Sequence, residues 1–315
     1  MSDILHVKER YVFKTSIIKK TLCAAAALCT FIMSMPGATA VSSAEQTQEA
    51  ETTILFADSM FANPTYEQLQ KPMGLVSSVA TDDASPGFPS PLGCNHGAIN
   101  IGNALKNITG DNIIDYSCAG ASVVSFGDTS TVNNNDKYNR FEDQIDHAIE
   151  TGVIKQSDNI IIQAGINDMR QNMLNPLQNK QAVIDELTRI IKRVKDNAPQ
   201  AHITLVGYQA FGDLQGRLCP IRVNRFPDAK GVPLDFFIFK QVEDHTQDAL
   251  QQVAHNARVD FYDMRTVSAN HNMCSANKIR WVAASYEPAK DHNLYTHLTH
   301  DGVSAVAQIL ADEVL

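Results

Sequence analysis

From residue 52 onward, short apolar runs alternate with segments of helical period, and that alternation leaves few architectures open. The runs are Thr53 to Phe56, Ile113 to Tyr116, Asn159 to Gln163, Ile203 to Val206 and Val259 to Tyr262. All are short and rich in β-branched or aromatic side chains, as buried strands are. Between the third and fourth, Val183, Ile184, Leu187, Ile190, Ile191 and Val194 recur at helical spacing until Asn197-Ala198-Pro199 ends the pattern. Phe141, Ile145, Ala148 and Ile149 mark a helix before the third run, a longer pattern covers Phe236 to Val253, and Val303, Val306 and Leu310 close the chain. Strand and helix in this order require right-handed crossovers, hence a parallel sheet covered by helices on both faces. The expected fold is α/β, one doubly wound, flavodoxin-like domain over residues 52–315 with a five-stranded parallel sheet. Reactive groups then gather at the carboxyl ends of the strands. Residues 74–93 and 211–234, rich in Gly, Pro and polar side chains, read as long loops walling that end.

Ahead of the domain, Lys8, Arg10, Lys14, Lys19 and Lys20 precede an apolar run from Thr21 to Met35, then Pro36-Gly37 and Ala38-Thr39-Ala40. That order is a secretory signal, with cleavage expected near Ala40. The run falls short of the roughly 20 apolar residues that a bilayer span needs, so no membrane span is expected to remain. Residues 41–51 read as a flexible lead-in. Residues 1–40 hold five Lys/Arg against two Asp/Glu, so the remainder carries a net charge of about −12 with neutral histidines. A surface this acidic repels phosphate backbones, which argues against nucleic acid as a partner. Cys23 and Cys29 leave with the signal; Cys94, Cys118, Cys219 and Cys274 remain, an even number that suits two disulfides in an oxidising compartment. Three pairings are possible, and the one in chain order closes the shortest loops, each bridge contributing about 3 to 4 kcal/mol. The expectation is a monomer acting outside the cell or in its envelope.

Three strand candidates lead directly into turns with chemistry: Ala57-Asp58-Ser59-Met60, Ser117-Cys118-Ala119-Gly120-Ala121 and Gly165-Ile166-Asn167-Asp168. His297-Leu298-Thr299-His300-Asp301-Gly302 opens the last helix. Four blocks in this order resemble the SGNH (GDSL-like) hydrolase family, the likeness running from Ile54 to about Leu310. The placing of the four cysteines and of Arg280-Trp281-Val282 is similar to that in secreted actinomycete-type lipases and esterases. The resemblance implies Ser59 as nucleophile, His297 as general base, and an oxyanion hole from the N–H groups of Ser59 and Gly120 with the side-chain amide of Asn167. The chemistry agrees, because a serine hydroxyl must lose its proton as it attacks, and a neutral imidazole within hydrogen-bond reach can take it. The tetrahedral oxyanion needs donors fixed beforehand, each typically worth about 3 to 4 kcal/mol. Taken singly, Gly120 reads as an ordinary turn glycine and Asn167 as a turn cap. Asp58 and Asp168 read as scaffold, binding nearby backbone N–H groups.

Two positions depart from the family pattern. The usual Gly before Asp-Ser is Ala57, and the Asp often found three residues before the catalytic His is Leu294. A main-chain carbonyl can do the orienting part of the missing carboxylate's work, and that of Leu294 is the expected one, with Asp291 its rival. His300, oriented by Asp301, competes with His297 as base. His292, His297 and His300, joined by Cys274 or His271, could form a zinc shell, but the serine chemistry already uses His297 and a disulfide uses Cys274, so no metal or cofactor is expected. Trp281, the one tryptophan, reads as a packing anchor. The expected reaction is hydrolysis of a carboxylic ester through acyl-Ser59, on a lipid or an acylated glycan. Activity should then fall as His297 takes up a proton, near pH 6.5 if the ring is unperturbed. An acyltransferase using the same acyl-enzyme, or a silent binding scaffold, are the alternatives.

Overall fold

In the computed structural model the chain enters through strand β1 (Thr52–Ala57) and turns at once into the short helices α1 (Ser59–Ala62) and α2 (Tyr66–Leu69). The structure describes residues 50–69, 90–124, 140–171, 176–288 and 290–315. The expected signal, most of the lead-in and most of the 74–93 segment lie outside them. After α3 (Ile101–Thr109) and β2 (Asn112–Asp115) come α4 (Phe141–Glu150), a 3-10 turn over Val153–Gln156, β3 (Asn159–Gln163), α5 (Ile166–Gln171) and α6 (Pro176–Asn197). The chain continues through β4 (His202–Val206), a hairpin of β5 (Arg217–Ile221) and β6 (Val232–Asp235), then α7 (Phe237–Ala257), β7 (Asp260–Tyr262), α8 (Met264–Val267) and α9 (His300–Glu313).

Five strands form one parallel sheet in the order β2-β1-β3-β4-β7, with β1 paired to β2 on one side and β3 on the other. This is the flavodoxin-like order, whose switch point lies between β1 and β3. Right-handed crossovers put α3, on the β1-to-β2 connection, on one face and α4, α6 and α7 on the other. α3 packs against the returning α9, and α6 against α7 and α4. Ile54 to Ala57 and Ile160 to Ile162 are sealed from solvent between these layers, and Val183, Leu187, Ile190, Ile191 and Val194 of α6 are fully buried. Each such side chain contributes roughly 1.5 to 3 kcal/mol by leaving water.

The 211–234 stretch is not only loop: it folds back as the antiparallel pair β5 and β6, with a register shift between Leu218 and Ile221. That irregularity, with Pro220 and Pro233 in the strands, broke the period-two pattern that marks a strand. The cysteines pair in chain order, Cys94 with Cys118 and Cys219 with Cys274. No helix among the described residues is long and apolar enough to cross a membrane.

Candidate active site

β1 delivers Ser59 to the carboxyl end of the sheet at the switch point. Asp58 is the N-cap of α1, its backbone extended and its Oδ1 accepting the Met60 N–H at 2.9 Å. The cap turns the chain sharply, so Ser59 is the first helical residue, partly exposed while its neighbours are buried. Ala57, which stands where the resemblance leads one to expect glycine, is not among the positive-φ residues, so its methyl group is compatible with this turn. Gln144 of α4 clasps Ala57 from both sides: its Nε2 donates to the Ala57 carbonyl at 2.8 Å and its Oε1 accepts the Ala57 N–H at 3.1 Å.

His297 arrives on the segment between β7 and α9, and its Nε2 lies 2.8 Å from Ser59 Oγ. Its Nδ1 lies 2.9 Å from the carbonyl oxygen of Tyr295. A carbonyl only accepts, so Nδ1 carries the hydrogen and Nε2 is left free to accept from the serine hydroxyl. The orienting carbonyl is therefore that of Tyr295, not the Leu294 carbonyl expected from the sequence. Thr296 between them adopts φ +59°, and this left-handed turn aims the Tyr295 carbonyl back at the ring. Asp291 is engaged elsewhere: its carboxylate accepts from Arg280 Nη2 at 2.9 Å and lies 3.3 Å from His292 Nδ1. The Arg280 charge and the His292 contact hold it down, at about 2, against the upward pull of burial. His300, the rival base, has Nε2 against Asn293 Oδ1 at 3.2 Å, and Asp301 is exposed in the first turn of α9.

Sequence reasoning missed what docks this segment. Asn293 Nδ2 donates to the Asn63 carbonyl, at the end of the serine helix, at 2.5 Å. Arg280, fully buried, bonds both Glu287 and Asp291. Gly302 closes the block for a steric reason, since a Cβ there would run into the Trp281 carbonyl. Trp281 itself stacks on His271 at 4.0 Å, which accords with an anchor. Among the described residues Glu287, Asp291 and His292 are the group spaced closely enough to hold a metal. Arg280 already occupies both carboxylates, and the group includes neither His297 nor His300.

Gly120, after β2, has φ +79°, a conformation a side chain would strain. Among the described residues neither its N–H nor that of Ser59 donates to a protein acceptor. The turn is held by Cys118, whose N–H donates to the Ala57 carbonyl at 3.0 Å, and by Asp168, whose carboxylate accepts the N–H groups of Val123 and Val124 at 3.0 and 2.8 Å. Asn167 lies in the first turn of α5, just after β3; its Nδ2 donates to the Ala121 carbonyl at 2.9 Å and more weakly to Asp58 Oδ2 at 3.3 Å. A further group not seen from sequence, the Tyr208 hydroxyl, donates to Asp58 Oδ2 at 2.5 Å.

Burial sets the electrostatics of this cluster. It pushes Asp58 up to about 6, against the opposing bonds from Tyr208 and Met60, and Asp168 up to about 7 against its two backbone N–H bonds. It pushes His297 down from 6.5 to about 4, with the Tyr295 carbonyl opposing and the positive charge of Arg170 assisting. The imidazole is thus held in its neutral, proton-accepting form.

A hydroxyl, a neutral imidazole and free backbone N–H groups at one sheet switch point are groups that can carry out acyl transfer. An extracellular lipase from Streptomyces rimosus superposes with a TM-score of 0.50 at 15% identity, covering 83% of this chain and 98% of its own. A phospholipase A1 from Streptomyces albidoflavus NA297 gives 0.49 at 13% identity with the same coverage. A putative arylesterase from Agrobacterium tumefaciens gives 0.46 at 13%, covering 84% of this chain and 98% of its own. At 15% identity the likeness to the Streptomyces rimosus lipase speaks for the fold alone. No curated protein matches the sequence significantly. The model of the GDSL-like lipase/acylhydrolase family matches residues 80–305, well over half of the chain, and this protein belongs to that family of ester hydrolases.

Proposed function

We propose that this protein is an exported serine esterase that cleaves carboxylic esters through an acyl-Ser59 intermediate, with His297 as general base. The observation that carries the reading is the 2.8 Å contact between Ser59 Oγ and His297 Nε2, with the other ring nitrogen tied to a carbonyl. Ser59 Oγ attacks the ester carbonyl carbon as its proton passes to His297 Nε2, and the Nδ1–H stays bonded to Tyr295. The carbonyl oxygen becomes an oxyanion met by the N–H groups of Ser59 and Gly120 and the Asn167 amide. Collapse expels the alcohol, which takes the proton from His297. Water then repeats the sequence on acyl-Ser59 and releases the acid. Export rests on the Lys-rich and apolar residues 1–40 and on the two disulfides. Lipid esters and acyl groups on extracellular glycans are the substrate classes that suit it.

The test is labelling of the purified protein with a fluorophosphonate serine probe beside Ser59→Ala, then a panel of nitrophenyl esters of rising chain length. Wild type should take up one equivalent of probe and the variant none; equal labelling of both would refute the assignment. The acid limb gives a second check. The neutral ring is the active form, and a lowered pKa keeps it neutral to lower pH, so kcat/KM should hold through pH 6.5 and fall only around pH 4. A midpoint at 6.5 would mean that the limb is set by a solvated ring or by Asp58 or Asp168, which burial lifts to about 6 and about 7.

A further inference from the structure

Resting on the esterase reading above, the geometry points to Tyr208 as a positioning residue that holds the Asn167 amide ready for the oxyanion by occupying Asp58. Tyr208 lies just past β4, 150 residues from Asp58 in sequence, and is buried at 5% exposure, as Asp58 is at 0%. Its hydroxyl donates to Asp58 Oδ2 at 2.5 Å and accepts the Ile166 N–H at 3.4 Å, so it links the turn after β1 to the start of α5. Its hydroxyl bonds Asp58 and Ile166 and makes no hydrogen bond to Ser59 or His297.

One carboxylate shares its donors unevenly. Asp58 Oδ1 is used in capping the serine helix, and Oδ2 receives both the short Tyr208 bond and the long Asn167 contact, 2.5 against 3.3 Å. Asn167 Nδ2 has two hydrogens: one is fixed on the Ala121 carbonyl at 2.9 Å, and the other faces Asp58 over the longer distance. The loosely held hydrogen is the one that can be given to a developing oxyanion at little expense. With the Tyr208 hydroxyl absent, a carboxylate buried away from water would draw that amide hydrogen in as its replacement donor. Asn167 would then be bound to the protein in the ground state and would have to break a charge-assisted bond to serve the transition state. Tyr208 therefore keeps the donor available without contacting the substrate.

The test is Tyr208→Phe, alone and combined with Asn167→Ala, on a nitrophenyl ester, with Ser59→Ala and thermal unfolding alongside. The single variant should lose about 10- to 100-fold in kcat with KM nearly unchanged, since only a transition-state contact is weakened. In the Asn167→Ala background the same change should cost less than about threefold, because the group it acts through is gone. Wild-type kcat in Tyr208→Phe would overturn the inference, and so would losses that multiply in the double variant. If the single variant melts far below wild type, the double-variant comparison still decides, because a general loosening would multiply with the Asn167 loss. Activity retained by Ser59→Ala would instead refute the esterase reading itself; an inactive Ser59→Ala beside an unaffected Tyr208→Phe would refute this inference alone.

Discussion

Replacing His297 with alanine is expected to lower kcat on a nitrophenyl ester by about a million-fold while leaving KM within a few-fold, as loss of the base does in other serine hydrolases. Ser59 Oγ finds its proton acceptor in His297 Nε2 at 2.8 Å, while His300 is turned to Asn293. Steady-state kinetics with a labelling control for folding would check it; a loss of less than about a hundredfold would assign the base elsewhere. Asp291→Asn is the informative partner experiment. Where a carboxylate orients a catalytic histidine, its amide variant loses about 10⁴ in kcat. Here Asp291 bonds Arg280 and the ring bonds the Tyr295 carbonyl, so no loss on that scale is expected.

The largest expected effect on stability is at Arg280. Its guanidinium is fully buried, donating to the Val282 carbonyl and Glu287 Oε1 at 3.2 Å each and lying 2.9 Å from Glu287 Oε2 and from Asp291. Arg280→Ala would take the nearest cation from the buried Glu287 carboxylate and leave it His292 Nδ1 at 3.2 Å, the Ala284 N–H at 3.2 Å and Arg222 at 3.9 Å, so a loss of about 3 kcal/mol is expected, read as a lower urea midpoint. Adding an apolar replacement of Glu287 should recover little of that loss, because buried Arg222 then loses its carboxylate partner and Asp291 stays without Arg280. A drop below about 1 kcal/mol for Arg280→Ala alone would mean that Arg222, His292 and the Ala284 N–H hold the Glu287 carboxylate without it. Since the network anchors the segment carrying His297, activity should fall at denaturant concentrations where the sheet is still intact.

What sequence made legible follows from the range over which each interaction acts. β1, β3 and β4 declare themselves because burial on both faces demands unbroken apolar runs, and Ile160 to Ile162 has no other use. Ser59, Gly120, Asn167 and His297 were singled out through the resemblance of four sequence blocks to the SGNH family, and the structure brings Ser59 and His297 within 2.8 Å at one end of the sheet. The hairpin escaped because its prolines and register shift hide its alternation. Gln144, Tyr208 and Asn293 escaped for another reason: their partners lie 87, 150 and 230 residues away, and nothing local to a Gln, Tyr or Asn marks it as a distant clasp. The one-residue error between Leu294 and Tyr295 is of a third kind. Which carbonyl faces the imidazole depends on the dihedral at Thr296, a backbone angle that no side-chain pattern encodes.

That the imidazole leans on a peptide oxygen also sets how the relay meets salt. Hydroxyl, neutral ring and amide carbonyl bear no formal charge at rest, so mobile ions have no ion pair there to shield. On the proposed mechanism, salt is therefore expected to act less directly on the contact between hydroxyl and ring than it would on a carboxylate–histidine pair.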